Sequence, residues 1–196
     1  MNVFEKNNFL KARKTILEML NDRGYTIPEN LHITYDEFNI QYENNNMYIY
    51  LEDQDKKFYV YFHTLVKNFS KKDFVSIMNK LNKQYDDHLH VIFVTRDKLN
   101  QTLQKEIAKL DNCESFILKS FVFNITKHDL IPQMQLMNED EIQELLDKFK
   151  IEKQMLPKIL ETDPISRYYA AKIGDVFKIT RTSISTGTSV SYRYVK

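Results

Sequence analysis

The stretch 156–181, LPKILETDPISRYYAAKIGDVFKITR, governs the architecture of the last part of the chain. Pro157 and Pro164 stand close together in it, and because proline breaks the interior of an α-helix, a long helix is excluded here. Gly174 then opens a run of β-forming residues at 176–181, which predicts a strand. The stretch therefore predicts short elements that lead into a sheet.

The residues on both sides of this stretch complete a small mixed domain. Residues 182–189 are rich in Ser, Thr and Gly and predict a turn, and residues 190–195 then alternate as in a half-exposed strand. Upstream, Asn138 and Glu141 have the spacing of a helix capping box. The apolar residues on one face of the helix that follows are Ile142, Leu145, Leu146 and Phe149. Residues 126–196 are therefore predicted to form one α+β domain.

The N-terminal region begins with helical periodicity and then changes to strands. Residues 4–22 and 35–42 repeat apolar side chains at helical spacing, which predicts two amphipathic helices. Residues 47–51 and 57–62 are rich in aromatic and other β-forming side chains and flank a polar run. This pattern predicts two strands joined by a turn.

The remainder of the N-terminal region alternates between helix and strand. The capping box at Ser70 predicts the start of a helix, and the apolar run 89–95 predicts a buried strand. Asp97 is the expected cap of the next helix, and residues 116–125 are predicted to be extended again. This order predicts an α/β layer with at least partly parallel strands, so residues 1–125 are predicted to form one α/β domain.

The composition limits the classes of function. Lys plus Arg number 28 and Asp plus Glu number 27, a net charge of +1, so the chain has no general attraction to nucleic acid. The single cysteine, Cys113, lies in an apolar run and is expected to be a buried structural residue. No signal-peptide core and no membrane-spanning stretch is visible, so we expect an intracellular protein with no membrane partner.

Motifs for cofactor or metal chemistry are weak. Three glycines in the whole chain argue against a glycine-rich phosphate loop. His88 and His90 have no accompanying cysteine motif, and a surface or hairpin pair is expected rather than a metal site. We therefore predict no cofactor, no metal ion and no catalytic residue.

One catalytic pattern stays open as an alternative. Asp36, Asp55 and Lys57 match the loose spacing with which Mg²⁺-dependent nucleases place two metal-binding acids and a lysine. Asp55, however, lies in a polar turn, and a chain that is 28% charged yields such a match by chance. A solvated turn is the favoured interpretation.

Many residues of the C-terminal region occur in an order that one protein family shares. They are Leu156, Pro157, Asp163, Pro164, Arg167, Tyr168, Lys172, Gly174, Val176, Lys178, Ile179, Arg181, Ser183, Tyr192 and Arg193, preceded by Ile125, Thr126, His128, Leu130 and Pro132. The region closely resembles the common fifth-largest subunit of eukaryotic nuclear RNA polymerases and its archaeal counterpart. RKTI at 13–16 and DRGY at 22–25 are similar to the opening of the eukaryotic form, a part that the archaeal form lacks. A eukaryotic or large-DNA-virus source is therefore expected.

The resemblance implies a non-catalytic, architectural subunit of a multi-subunit DNA-dependent RNA polymerase. In this family the C-terminal domain assembles onto the largest polymerase subunit, within a complex that contains the other subunits. The residues that the resemblance assigns to this assembly surface are His128, Pro132, Pro157, Asp163, Pro164, Arg167, Tyr168, Lys172, Gly174, Arg181, Ser183, Tyr192 and Arg193. The chain departs from the family at Ala170, where glycine is usual.

For the N-terminal domain, the resemblance implies an inactive, nuclease-like fold in the jaw around downstream duplex DNA. Thr95, Arg96 and Lys98 are the candidate DNA-facing residues, because a helix start is predicted there that would offer N–H groups and positive charge to a phosphate. Such contact would be weak and independent of base sequence. Transcription factors are further candidate partners.

The resemblance also implies where the protein works and leaves one more alternative. The expected location is the nucleus, or the cytoplasm or virion if the source is viral. A free-standing DNA-binding module is the remaining alternative, which the nearly neutral charge disfavours.

Overall fold

The computed structural model describes residues 3–54, 56–85, 89–183 and 187–196. Packing divides them between a unit that ends at Phe123 and a unit that begins at Asn124. Among the described helices, none is both long and apolar enough to cross a bilayer. The elements of the first unit are α1 (Val3–Asp22), α2 (Tyr35–Glu43), β1 (Tyr48–Asp53), β2 (Lys56–Phe62), α3 (Lys71–Gln84), β3 (Leu89–Thr95), α4 (Gln101–Ile107) and β4 (Cys113–Ile117).

The first unit is built on a four-stranded sheet in the order β1-β2-β3-β4. β1 and β2 form an antiparallel pair, whereas β2, β3 and β4 run parallel, each crossover being made by a helix. The central strand β3 is apolar along almost its whole length, as expected of a strand covered on both faces. The predicted α/β layer with partly parallel pairing is therefore confirmed.

One face of this sheet packs against α3 and α4. Ser70 caps α3 through a capping box with Asp73, as the sequence predicts. The apolar stripes of both helices then meet the odd-numbered residues of β3, and the buried members of this core are Phe69, Phe74, Leu81, Leu89, Val91, Phe93, Leu99, Leu103, Ile107 and Cys113. Burial raises the pKa of the Cys113 thiol to about 11, so this residue is the structural cysteine that the sequence predicts.

Helix α1 is tied to the sheet by two buried arginines. Arg13 is almost fully buried and donates from Nη1 to the carbonyl oxygen of Tyr48 at 2.8 Å and from Nη2 to that of Leu31 at 3.2 Å. Burial lowers its pKa to about 10, which leaves the guanidinium charged at neutral pH. Arg13 therefore joins α1, the following loop and β1 in one contact.

The second arginine, Arg23, closes a buried ionic cluster at the end of α1. Its two terminal nitrogens lie 2.8 and 2.9 Å from the carboxylate oxygens of Glu114 on β4, a bidentate pair. His90 on β3 donates from Nε2 to the same carboxylate at 2.7 Å. Burial alone would raise the pKa of Glu114, but the hydrogen bonds from His90 and Arg23 and the charge of both lower it to about 2. His90 is thus part of a partly buried cluster, whereas His88, the other member of the expected surface or hairpin pair, lies outside the described residues.

Two predicted elements of the first unit differ in the structure. Helix α4 begins at Gln101 and is capped by the side chain of Asn100, not by Asp97, because Thr95 already donates its hydroxyl to the Asp97 carbonyl and holds the chain in a loop. Residues 116 and 117 complete β4, but the rest of the stretch to 125 is not the predicted strand. Two 3₁₀ turns follow Ile117, and Leu118 and Phe121, three residues apart on one side of the first turn, are both buried.

The second unit contains β5 (Gln133–Leu136), α5 (Glu139–Phe149), β6 (Lys158–Ile159), α6 (Pro164–Tyr168), β7 (Val176–Ser183) and β8 (Gly187–Val195). Its sheet has the order β5-β7-β8-β6, with β6 parallel to β8 and the other pairs antiparallel. The capping box of Asn138 and Glu141 starts α5, and only a five-residue helix follows Pro164. The predicted α+β character is therefore confirmed, although β7 and β8 extend further into the stretch 182–189 than the predicted turn allows.

The two faces of the second sheet are covered by different elements. On one face, α5 packs over Val176, Tyr192 and Tyr194. On the other, α6 and the segment before β5 pack over a core made of Ile125, Ile131, Met134, Leu136, Ile159, Ile165, Tyr169, Ala171, Phe177, Ile179 and Val195. Strand alternation assigns neighbouring residues of β7 and β8 to opposite faces.

Helix α6 ends in a motif that normally requires glycine. The amide of Ala171 donates to the Ser166 carbonyl at 2.8 Å and the amide of Ala170 to the Arg167 carbonyl at 3.2 Å, which is the Schellman pattern. Ala170 occupies its left-handed position with φ +52°. An L-residue with a Cβ is strained there, which accounts physically for the glycine that is usual in the family.

We expect Ala170→Gly to raise the free energy of unfolding by about 1 kcal/mol, because glycine adopts positive φ without the steric cost that alanine carries. The matched control is Ala171→Gly, which removes a buried methyl group at a residue without positive φ and should lower stability. Urea unfolding of the full chain measures both. A loss of stability in Ala170→Gly would contradict the left-handed assignment.

We expect Glu114→Gln to lower the free energy of unfolding by about 2 kcal/mol at neutral pH, because Arg23 and His90 lose a buried anionic partner. Folding lowers the pKa of Glu114 from 4.5 to about 2, so its contribution is present above pH 4.5 and lost as the pH falls towards about 2. Unfolding measured between pH 7 and pH 2 should therefore give a flatter acid limb for the variant. Parallel acid limbs would show that the Glu114 carboxylate is not stabilised by folding.

Candidate functional site

Four residues that the resemblance assigns to the assembly surface meet at one groove of the second unit. Pro132, Asp163, Arg181 and Arg193 all line it, and its volume is about 440 Å³. They come from four separate segments of the chain, which the sheet brings together. We name this feature the sheet groove. Its other lining residues are Ile131, Met134, Ile159, Ile165, Ile179, Ser189 and Ser191.

The floor of the sheet groove is apolar because of the strand register. Met134 of β5 lies opposite Ile179 of β7, which in turn lies opposite Ser191 of β8. Ile159 of β6 and Ile165 of α6 continue the same core towards the other edge. Ile159, Ile165 and Ile179 are each less than a tenth exposed, and Ser189 and Ser191 line the groove beside them with small side chains.

The rim of the sheet groove has an excess of positive charge. Arg181 and Arg193 are exposed, and Arg193 donates weakly from Nη1 to the Lys158 carbonyl at 3.5 Å. The carboxylate of Asp163 is engaged within the unit, because its Oδ1 accepts a hydrogen bond from the Ile165 amide at 2.9 Å and so caps the start of α6. An anionic group with an apolar neighbour is the chemistry that this combination fits.

Several other assigned residues have internal structural contacts. Tyr168 is buried and accepts a hydrogen bond from Asn124 Nδ2 at 3.2 Å. Tyr192 packs against the α5 side of the sheet, away from the groove. The Pro157 carbonyl accepts from the Tyr194 amide at 2.8 Å, and Gly174 has φ +107°, a conformation that favours glycine. These four residues shape the unit from within.

Four of the five remaining assigned residues lie at the surface, outside the sheet groove. Arg167 and Pro164 are exposed on α6, and Lys172 is exposed after it. His128 accepts from the Leu130 amide through Nδ1 at 3.2 Å. Ser183 is placed by its backbone alone, opposite Gly187 at the end of the hairpin. Their part in assembly stays a prediction.

The sequence predicts four residues at the rim of the groove but does not assign its floor. Ile159, Ile165 and Ile179 are not among the predicted site residues, and Ser189 and Ser191 are predicted in a turn and on the polar face of a strand. These residues could have been found by extending the alternation of inward and outward side chains in the last strand back to Gly187. That alternation puts small side chains on the face that also carries Arg193.

The first unit has a second cleft, of about 590 Å³, beyond the carboxyl ends of β2 and β3. Thr95, Arg96 and Lys98 all line it, together with Lys67 and Lys71. This is the part of an open α/β sheet where ligands commonly bind. We name it the strand-end cleft.

The helix start predicted at the candidate DNA-facing residues, Thr95 to Lys98, is wrong, because α4 begins only at Gln101. Thr95 is buried, and Arg96 is engaged internally: it pairs with Glu5, donates to the Thr64 carbonyl and lies over the Phe9 ring at 5.6 Å. Lys98 is exposed on the loop before α4. Of these three residues, only Lys98 keeps an accessible charge.

The other lysines of the strand-end cleft are largely neutralised. Lys67 pairs with Asp73 at 3.0 Å, and Lys71 pairs with Glu106. These surface ion pairs compete with any phosphate for the same ammonium groups. The cleft therefore has a weak net attraction for nucleic acid.

The nuclease alternative finds no support. Asp55 lies outside the described residues, Asp36 is in the first turn of α2, and Lys57 pairs with Glu52 across the strand pair. In the part of the chain that the structure describes, no three His, Cys, Asp or Glu residues are grouped so that they could hold a metal ion.

The sheet groove and the strand-end cleft are thus the two places where residues assigned from the sequence come together. Comparison with known proteins identifies the family. Residues 5–110 match the family described as RNA polymerase Rpb5, N-terminal domain, and residues 123–195 match RNA polymerase Rpb5, C-terminal domain.

Individual relatives agree over almost the whole chain. The chain is 31% identical to DNA-directed RNA polymerases I, II, and III subunit rpabc1 of Dictyostelium discoideum, over 95% of this chain and 96% of that protein. It is 27% identical to the subunit RPABC1 of Caenorhabditis elegans, with 94% of each chain covered. It is 30% identical to DNA-directed RNA polymerase V subunit 5C of Arabidopsis thaliana, over 97% of this chain and 85% of that one.

The chain belongs to the Rpb5 family of RNA polymerase subunits. Members of this family are architectural parts of a multi-subunit DNA-dependent RNA polymerase and are not themselves catalytic. The relatives are subunits of eukaryotic polymerases, which function in the nucleus.

We expect Arg96→Ala to lower the free energy of unfolding of the full chain by about 2 kcal/mol, because it removes a partly buried ion pair and a hydrogen bond to a carbonyl. Lys98→Ala is the matched control, and as an exposed residue it should change stability by less than about 0.5 kcal/mol. Thermal and urea unfolding measure both. Equal effects would mean that Arg96 is not the internal tie described above.

Proposed function

We propose that the chain acts as an architectural bridge in its polymerase. The second unit docks on the largest polymerase subunit, and the first unit forms part of the jaw around downstream duplex DNA. The observation that carries the docking half is the sheet groove, where an apolar floor and two exposed arginines lie together. Family membership supports the same interpretation.

The chemistry of the sheet groove favours a protein partner over nucleic acid. Its floor is formed by isoleucine and methionine side chains, which gain free energy by excluding water. Arg181 and Arg193 can each form a bidentate pair with a carboxylate, which fixes the orientation of a docked segment. An acidic side chain next to an apolar one in the largest subunit is the matching feature. Arg167, exposed on α6, is a further candidate contact.

Contact of the first unit with DNA rests on few charges. Lys98 is the accessible cation among the three candidate residues, whereas Lys67 and Lys71 are paired with carboxylates. Such a contact adds little affinity of its own and is reduced further by salt. The assembly therefore brings the chain to DNA, and the strand-end cleft follows the duplex without reading its sequence.

The same proposal gives the location. A subunit of a eukaryotic polymerase works in the nucleus, and a subunit encoded by a large DNA virus works in the cytoplasm or the virion. Transcription factors are further candidate partners for surfaces that assembly leaves exposed.

The docking half is tested by co-purification of the tagged full chain with the largest subunit of its own polymerase. We expect Arg181→Glu combined with Arg193→Glu to reduce recovery at least about tenfold, because two charge-assisted contacts become repulsive. The control is Lys178→Glu, which makes one such charge reversal, the same as at each arginine, on an exposed residue of β7 that faces the other side of the sheet.

The three outcomes are distinct. Loss of recovery in the double variant and retention in Lys178→Glu support docking at the sheet groove. Equal recovery of all forms would move the interface elsewhere, and Arg167→Glu then tests α6. If the unaltered chain recovers no polymerase subunit, the proposed function is wrong.

A further inference from the structure

One edge of the second sheet is open next to the sheet groove. β8 pairs with β7 from Gly187 to Tyr194. On its other side, β6 covers only Tyr194 and Val195. In the described part of the chain, no strand pairs with the outer edge of residues 187–193.

The hydrogen bonds of β8 show which of its amides point outward. Even-numbered residues face β6, since the Tyr194 amide donates to the Pro157 carbonyl at 2.8 Å and the Lys196 amide to the Ile159 carbonyl at 3.0 Å. The Val195 amide donates in the opposite direction, to Asp175 at 2.9 Å. Because the direction alternates along a strand, the amides of Thr188, Val190 and Tyr192 point to the open edge.

This edge lacks the usual protection against pairing with another chain. Exposed edges are normally blocked by proline, by inward charges or by a covering loop. Residues 187–193 read GTSVSYR, with no proline and with one charge at the end that adjoins β6. Ser189 and Ser191 put only small side chains on the groove side.

We propose that an extended segment of the polymerase partner adds to β8 as a further strand, in line with β6. Its side chains would alternate, so that those on the groove side place an apolar group over Ile165 and Ile179 and one carboxylate beside each of Arg181 and Arg193, which the register sets four residues apart. This inference rests on the proposed function and states how docking occurs. Backbone pairing supplies affinity, and the groove supplies selectivity for an acidic, apolar segment.

The open edge selects a polypeptide as the occupant. Its groups are alternating amide donors and carbonyl acceptors at strand spacing, which a second polypeptide backbone matches residue by residue. The positive rim beside it excludes a basic segment. A second copy of this chain would bring Arg181 and Arg193 towards like charges, which argues against self-pairing at this edge.

Amide hydrogen exchange of the full chain, alone and assembled with its polymerase, tests the proposal. In the free chain, the amides of Thr188, Val190 and Tyr192 should exchange fast, whereas that of Val195, bonded to Asp175, should be protected. On assembly, exchange of the three outward amides should slow at least about 100-fold. If the chain assembles and these amides still exchange fast, strand addition is wrong while the assembly role stands.

A pair of variants gives an independent readout. Val190→Pro removes one outward amide, and an edge strand tolerates proline where its N–H faces solvent. Val190→Thr keeps that amide and a β-branched side chain. We expect at least about tenfold weaker co-purification for the proline variant and unchanged recovery for the threonine variant, with the melting temperature of each checked.

Each remaining outcome is decisive. Equal recovery of the two variants would overturn the use of this edge. Protection of the outward amides that rises with the concentration of free chain would show self-pairing and also overturn it. If the unaltered chain does not assemble with the polymerase at all, the proposed function is wrong, and strand addition is wrong with it.

Discussion

The antiparallel register of β7 and β8 is the constraint on which the second unit depends. It pairs Val176 with Tyr194 at one end and Ser183 with Gly187 at the other. A shift of one residue would exchange the two faces of the sheet, burying Arg193 where Tyr192 and Tyr194 now pack under α5. The large burial of Val176, Phe177 and Val195 on both faces excludes that shift. The functional surface is therefore specified by the core beneath it.

The arginine side chains of the first unit mainly form contacts within that unit. Arg13 binds two carbonyls, Arg23 holds Glu114, and Arg96 ties the end of β3 to α1 through Glu5 and Phe9. Planar guanidinium groups suit such sites, because they satisfy several acceptors in fixed directions. The charge left for solvent comes largely from lysines, several of them paired with carboxylates. The arginines of the first unit therefore contribute little charge to its surface.

Local signals predicted the fold well where they did not depend on distant residues. The capping boxes at Ser70 and Asn138, the apolar run of β3 and the helix-breaking prolines before β6 and α6 all act within a few residues. The loop before α4 could not be predicted, because the Thr95 hydroxyl holds the Asp97 carbonyl and leaves the cap to Asn100. Residues 118–125 fold into turns because the surrounding core buries Leu118 and Phe121.

The sheet groove, too, could be predicted only in part, because it depends on residues that are distant in the chain. Residue order singled out Arg181 and Arg193, yet it assigned Tyr168 and Tyr192 to the same surface, although both pack inward. Which face a residue takes depends on pairing between strands that are distant in the chain. The family resemblance selects candidate site residues. The strand register then shows which of them pack inside the unit and which are exposed to a partner.

The left-handed conformation of Ala170 has a consequence for the stability of the unassembled chain. In the described part of the chain, Asn45, Gln54, Lys150 and Ala170 all hold positive φ without being glycine, in a sequence with only three glycines. Each reduces the margin by which the native state is favoured. A partner that binds only the folded chain restores that margin by mass action. A copy bound to its partner is then more stable than a free copy, by an amount that depends on the affinity and the concentration of that partner.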